Sequence, residues 1–112
     1  MEKDPNGIDA HQPGAKLDAG KPDLSLLLNL DKALHAVAEV MTFGAQKYTR
    51  GGWQEVPDGI NRYTAADLRH ILKENREELD PDSDLMHAAH HACNALFRLE
   101  LMLRAKEADE KV

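Results

Sequence analysis

The sequence predicts an all-α fold: a small bundle of three main helices behind an extended N-terminal arm. Three observations lead there. Apolar residues recur at helical spacing in three stretches, Gly and Pro concentrate between them, and no stretch alternates apolar and polar residues as a half-buried strand requires. With 112 residues the chain makes one domain with a modest core. A homo-oligomer, dimer or tetramer, that hides further apolar surface is the natural supplement.

Residues 1–22 carry Pro5, Gly7, Pro13, Gly14, Gly20 and Pro22, a breaker density that forbids a regular helix or long strand. This arm reads as a disordered tail up to Pro13 and as a docking segment beyond it. The helical domain spans residues 23–107. Leu24 to Leu30 is apolar but short, and suits a docked extended segment or short turn. Asp31 is a plausible N-cap for a first helix running to about Lys47, with Leu34, Val37, Val40 and Met41 on its apolar stripe. Gly44 weakens that helix by about 1 kcal/mol relative to Ala, which calls for a bend or a close neighbour. The segment from Tyr48 to Gly59 is a loop, and its Trp53 should cap the bundle core. A second helix begins near Asn61 or Thr64 and continues through Glu78 until Pro81 stops it. Asp82, Ser83 or Asp84 then offers the N-cap of a third helix striped by Leu85, Ala89, Ala92, Leu96, Leu99 and Leu103. Met86, Cys93, Phe97 and Leu101 widen that stripe, so the helix needs partners on more than one side. From Arg104 the chain is charged and should fray, with residues 108–112 as a frayed tail.

A net charge of −6, from 20 acidic against 14 basic residues, excludes a protein that coats polymeric nucleic acid or an anionic membrane. An anionic small molecule stays in reach if metal ions neutralise its phosphates. The single cysteine, Cys93, excludes an internal disulfide framework and fits a reducing compartment. No apolar run approaches the roughly 18 residues a spanning helix needs, and the acidic N-terminus lacks signal-peptide character. The chain reads as cytoplasmic.

Chemistry concentrates between Arg69 and Asn94. Asp67, His70, Glu74 and Glu77 fall at i, i+3, i+7 and i+10, and His87, His91 and Asn94 at i, i+4 and i+7, so each set draws one polar stripe on a helix. Both stripes belong to one hairpin, and a shared metal site between them is conceivable. Carboxylates such as Glu74, Glu77, Glu78 and Asp80 suit Mg²⁺ or Mn²⁺, while imidazoles such as His70, His87 and His90 tolerate Mn²⁺, Zn²⁺ or Fe²⁺ better than Mg²⁺. The bland alternative is a solvated face pairing the glutamates with Lys73 and Arg76, with Asp80 and Asp82 ending and capping helices. Glu39, one turn beyond His35, is either a surface charge or a further carboxylate for the cluster. Lys16, Lys21, Lys47 and Arg50 lie in or beside loops, as phosphate contacts or surface residues. Tyr48 and Trp53 offer a stacking wall for a base. Cys93 lies on the packing stripe with no basic group to activate it. Neither a Ser-His-Asp constellation nor a GxxxxGK[ST] loop occurs.

The ordered set KLDAGKP from Lys16 to Pro22, FGAQKY from Phe43 to Tyr48 with Trp53, Arg69-His70, EELDPDS from Glu77 to Ser83, and His87-x-x-His90 resembles the phage and bacterial dATP/dGTP diphosphohydrolase family. That family is related to the MazG-like all-α nucleoside triphosphate pyrophosphatases, and the resemblance covers about residues 14 to 102. It implies an oligomeric helical bundle in which divalent metal, Mg²⁺ or Mn²⁺, serves to split a deoxynucleoside triphosphate into monophosphate and pyrophosphate. In the MazZ-type subgroup the product dGMP supplies 2-aminoadenine phage DNA, and a phage-encoded chain would act in the host cytoplasm. On this resemblance Glu77, His70 and His87 are the catalytic candidates, and Glu77, Asp80, Glu74, Glu78, His87 and His90 the metal ligands. Lys16, Lys21 and Lys47 would clamp phosphate, Tyr48 or Trp53 would meet the base, and Asn94 would line the substrate site. Two departures stand out: Arg76 and Asp84 occupy positions where the family usually has glycine. The MazG pattern of Glu-x-x-Asp has His91-x-x-Asn94 or His87-x-x-His90 as its nearest equivalent, so ligands do not transfer by motif from MazG. Another helical metallophosphohydrolase and a non-catalytic helical adaptor are the alternative readings.

Overall fold

The computed structural model describes residues 2–111 and divides the chain into two compact bodies, Met1–Leu30 and Asp31–Val112. In the first body the arm does not run out extended. It doubles back, with an antiparallel bridge between Lys3 and Ala19 and an ion pair of 3.0 Å between Lys21 and Glu2. The buried Asp4 carboxylate organises the loop by accepting the backbone amides of Asn6 and Lys16, both at 2.7 Å, and of Ile8 at 3.3 Å. The Asp18-to-Lys21 turn needs Gly20, whose φ of +80° an L side chain rarely adopts. Leu24–Leu30 is a 3₁₀ helix rather than an extended segment.

The second body holds α1 (Asp31–Lys47), α2 (Gly59–Glu74) and α3 (His87–Glu110). Among the described residues β pairing is limited to two isolated bridges, so the body is all-α. α3 is the central helix, packed on both α2 and α1. Its apolar face meets α1 in a small core of Val37, Val40, Ala89 and Cys93, flanked by Ala36, Leu85, Ala92 and Phe97. Burial pushes the Cys93 thiol up to about 12, so it is an inert packing residue. A 3₁₀ turn, Gly52–Glu55, lays the Trp53 ring flat on Phe97, with centroids 4.1 Å apart and 2° between the planes. Tyr63 donates its hydroxyl to the Trp53 carbonyl at 2.8 Å and sets its ring edgewise on Phe97. At the start of α2 a Cβ on Gly59 would come within 3.0 Å of Leu101, a close approach that favours glycine.

Four boundaries differ from the sequence expectation, the first being the start of α2 at Gly59 rather than near Asn61 or Thr64. α2 stops at Glu74, because Arg76 and Glu77 turn their amides back to the Lys73 carbonyl. α3 starts at His87, with Met86 at the N-cap position and no side-chain cap. Asp82, Ser83 and Asp84 are used inside the turn instead: the Asp80 carboxylate accepts the amides of Asp82 and Ser83 at 3.1 and 2.9 Å, and the Asp84 amide donates to the Asp80 carbonyl at 2.7 Å. α3 also continues through Glu110 rather than fraying from Arg104, whose guanidinium bonds Glu100 one turn back and Gln54 across the bundle. Space around Gly44 is open, so no neighbour within the body explains it.

The core is small for the apolar content. Leu68 and Leu72 on α2, and Leu96, Leu99, Met102 and Leu103 on α3, are left exposed by the body itself. No helix among the described residues is long and apolar enough to cross a membrane.

Candidate functional site

The two polar stripes face each other. α2 and α3 run antiparallel, and their seam is a ladder of polar pairs: His70 with His87, Asp67 with His91, and Thr64 with Arg98. The hairpin from Asn75 to Met86 closes one end of this ladder. An antiparallel bridge between Leu79 and Met86 and the bond from the His87 amide to the Glu78 carbonyl at 2.9 Å fix its two arms. Asp84 reaches the turn in the left-handed conformation, with φ of +60°.

His87 is fully buried at the start of α3. Its Nε2 lies 3.0 Å from Glu77 Oε1, and its Nδ1 lies 2.9 Å from His70 Nδ1. A carboxylate only accepts, so His87 carries its proton on Nε2 and accepts at Nδ1 from the Nδ1–H of His70. This tautomer assignment follows from the hydrogen-bond network. The result is a directed chain from His70 through His87 to Glu77, and it leaves His70 Nε2 with a free lone pair. The His70 ring stacks on His90 with centroids 4.5 Å apart. Burial drives His70 down to about 4, reinforced by repulsion from His90 and His87 against the pull of Asp80, so the ring is neutral at neutral pH.

His90 shares the burial and is lowered by it, with Asp80 as the main opposing charge. Its Nε2 is 2.6 Å from Ser83 Oγ and 4.0 Å from Asp80 Oδ2. Ser83 Oγ already accepts the Leu85 amide at 3.2 Å, and its one hydroxyl proton serves either the His90 imidazole or the Asp80 carboxylate. Burial raises the Asp80 carboxyl, but the Ser83 amide and hydroxyl and the neighbouring imidazoles outweigh it and hold the group below the usual carboxylate range. Asp80 is thus a carboxylate at neutral pH, 9% exposed, at the bottom of the turn.

His70, Asp80 and His87 bring one ligand atom each within 4.8 Å of one another. Two imidazoles and a carboxylate form a donor set that suits a divalent transition ion and favours Mn²⁺ over Mg²⁺. The set therefore fits the metal that the sequence resemblance implies. Of the other expected ligands, Glu77 lies behind His87 as its hydrogen-bond partner and His90 lies against Asp80. Glu74 and Glu78 are exposed and do not join the trio; with Arg76, Met86 and Glu77 they line a cavity of about 250 Å³.

The substrate candidates are dispersed. Lys16 and Lys21 belong to the N-terminal body. Lys47, at the end of α1, donates to Asp82 Oδ2 at 2.7 Å, which raises its ammonium above the ordinary lysine range. Tyr48 is 73% exposed, with the Lys47 ammonium 5.4 Å from its ring centroid. Trp53 presents one face to Phe97, and the Arg104 guanidinium lies 5.6 Å from its centroid. The Asn94 amide donates to the His90 carbonyl of its own helix at 3.0 Å. Sequence reasoning missed Ser83 as the partner of His90, and the pairing of His91 with the buried Asp67. The i+3 and i+4 spacings carried the second of these; no sequence signal pointed to the first.

A three-helix body with its imidazoles and a buried aspartate gathered at one helical hairpin defines a small all-α protein with a built candidate cation site. The family model for the dATP/dGTP diphosphohydrolase N-terminal region matches residues 11–111, and the chain belongs to this family. It is 35% identical over 99 residues, 88% of its length, to a dATP/dGTP diphosphohydrolase of Salmonella phage PMBT28. It spans 33% of the length of that curated relative. No solved structure matches the chain.

Proposed function

We propose that this protein hydrolyses a purine deoxynucleoside triphosphate to the monophosphate and pyrophosphate, with a divalent cation held by His70, Asp80 and His87. The observation that carries the reading is the convergence of these three donors at the hairpin of a chain in the dATP/dGTP diphosphohydrolase family. A bound Mn²⁺ or Mg²⁺ supplies charge neutralisation for the triphosphate and acidity for water.

The chain's own residues do the rest. Asp80, kept ionised by the Ser83 amide and hydroxyl, offers a fixed negative donor. Glu77 holds the His87 ring through Nε2, so Nδ1 would become the ligand atom once a cation displaces the His70 N–H bonded there, and protons compete little with the ion for His70, which stays neutral down to about pH 4. Hydrolysis adds the water oxygen to one phosphorus, breaks the bridging P–O bond and frees one proton. The half-exposed Glu77 carboxylate, which meets His87 through Oε1, is the acceptor in this reading through its other oxygen. Lys47, paired with Asp82 of the turn, is the cation offered to the phosphates, and its exposed partner is easily exchanged. The exposed leucines of α2 and α3 support a homo-oligomer as the working form.

The test is product identification. The protein is incubated with each deoxynucleoside triphosphate and Mg²⁺ or Mn²⁺, and the products are separated. Monophosphate plus pyrophosphate from a purine substrate is expected. Nucleoside plus triphosphate, or orthophosphate alone, would instead mark another metallophosphohydrolase, and no turnover with either metal would favour an adaptor.

A further inference from the structure

The functional reading leaves the base without a seat. Trp53 is engaged with Phe97 and Arg104, and Tyr48 stands out in solvent. A different part of the helical body has the required shape. α1 and the acidic turn border an open cleft of about 390 Å³, within the usual size range for small-molecule sites. Its walls include Glu39, Thr42, Phe43 and Gln46 from α1, one turn apart along a helix face, and Ser83 and Leu85 from the turn.

The cleft adjoins the candidate cation site through a single layer of side chains. Ser83 lines the cleft and bonds His90 at 2.6 Å, and Phe43 lines it and meets the His90 ring edgewise at 6.4 Å. The Lys47–Asp82 ion pair joins the residues that follow Gln46 on α1 and precede Ser83 in the turn. A phosphate at that edge meets the lysine. Phe43 and Leu85 supply apolar surface for a flat ring, and the Gln46 carboxamide makes no hydrogen bond with the described residues.

We propose that this cleft is the purine pocket, with Phe43 and Leu85 as its apolar walls and Gln46 as the group that reads the base edge. The proposal rests on the nucleotide reading above. A primary amide can turn to offer both its oxygen and its N–H to the N6/N7 edge of adenine, or its N–H to the O6/N7 edge of guanine. One glutamine therefore admits both purines, while a pyrimidine lacks the N7 acceptor that completes either pairing.

The test separates the pocket from the metal chemistry by using two probes on the full chain. dGMP, dAMP and dCMP, titrated without metal, report the cleft, and inorganic tripolyphosphate with Mn²⁺ reports the cation site. Gln46→Ala, at an exposed position, should weaken dGMP and dAMP about tenfold, the scale of one hydrogen-bonding base contact, and dCMP little. Thr42→Trp fills the cleft and should abolish binding of the purine monophosphates while tripolyphosphate with Mn²⁺ binds as before. Unchanged circular dichroism qualifies both variants. Wild-type purine affinity in Thr42→Trp, or equal losses for all three monophosphates in Gln46→Ala, would overturn the proposal. So would a wild-type protein that binds no purine monophosphate, or a Thr42→Trp variant whose sole change is dissociation of an oligomer. Purine binding without any Mn²⁺-tripolyphosphate binding would uphold the pocket and refute the cation site.

Discussion

Asp84 gives the sharpest test of the hairpin that builds the site. Its φ of +60° is a left-handed conformation that costs an ordinary L residue roughly 1–2 kcal/mol, and aspartate somewhat less. Replacing it with glycine removes that strain but adds unfolded-chain entropy worth about 0.5–1 kcal/mol. The net gain for Asp84→Gly is therefore small, about 0.5 kcal/mol. Asp84→Ala keeps the strain, loses the tolerance of aspartate for this region, and should cost about 1 kcal/mol. With a urea slope near the low end of ~1–3 kcal/mol/M, the two variants should differ by about 1 M in unfolding midpoint. Urea titration followed by circular dichroism measures it. Equal midpoints for the glycine and alanine variants would refute the left-handed turn, and with it the placement of Asp80, whose carbonyl receives the Asp84 amide at 2.7 Å.

Three further outcomes follow from the same geometry. The metal-free protein should lose stability as pH falls from 6.5 toward 4, because the unfolded chain takes up the His70 proton in that window and the folded protein does not. Allowing for solvent screening of a partly exposed ring, the loss from His70 is about 1–2 kcal/mol, His90 adds in the same direction, and thermal melts across that range read it. Trp53→Ala should cost about 2–3 kcal/mol by removing the stack on Phe97, with little effect on KM; unchanged stability with a large rise in KM would move the base to Trp53. His87→Ala leaves the His70 N–H and a buried cavity without a partner and should cost about 3–5 kcal/mol, read by chemical unfolding, whereas a loss below 1 kcal/mol would contradict the proton chain assigned here.

The limits of α1 were legible because its apolar stripe is regular and Asp31 marks its start. The end of α2 was not. Pro81 is the local stop signal, but the helix gives way at Glu74, before a turn fixed by the nonlocal pairing of Leu79 with Met86. The start of α3 was misplaced for a related reason. Asp82, Ser83 and Asp84 have the composition of a cap, yet Asp80 draws their amides into a tight turn and the helix begins later, without one. At the site, spacing placed His70 and Asp67 on one stripe and His87 and His91 on another, and these stripes do pair across the seam. Spacing alone carried no information on which acid accompanies the imidazoles. Glu74 and Glu78 have the same chemistry as Asp80, and only the fold of the turn buries one and exposes the others. The arm's closure around Asp4 was equally invisible, since it depends on a carboxylate meeting an amide twelve residues on.

The central claim is that Asp80, with His70 and His87, holds the cation on which turnover depends. The most direct measurement is the Mn²⁺-dependent rate of pyrophosphate release from dGTP and dATP by Asp80→Asn beside the unaltered protein, with helicity checked by circular dichroism. The account predicts a fall in kcat on the order of 100-fold or more, in line with loss of a ligand from a catalytic metal. Turnover within a few-fold of the unaltered protein, at the same Mn²⁺ concentration and with the fold intact, would contradict it.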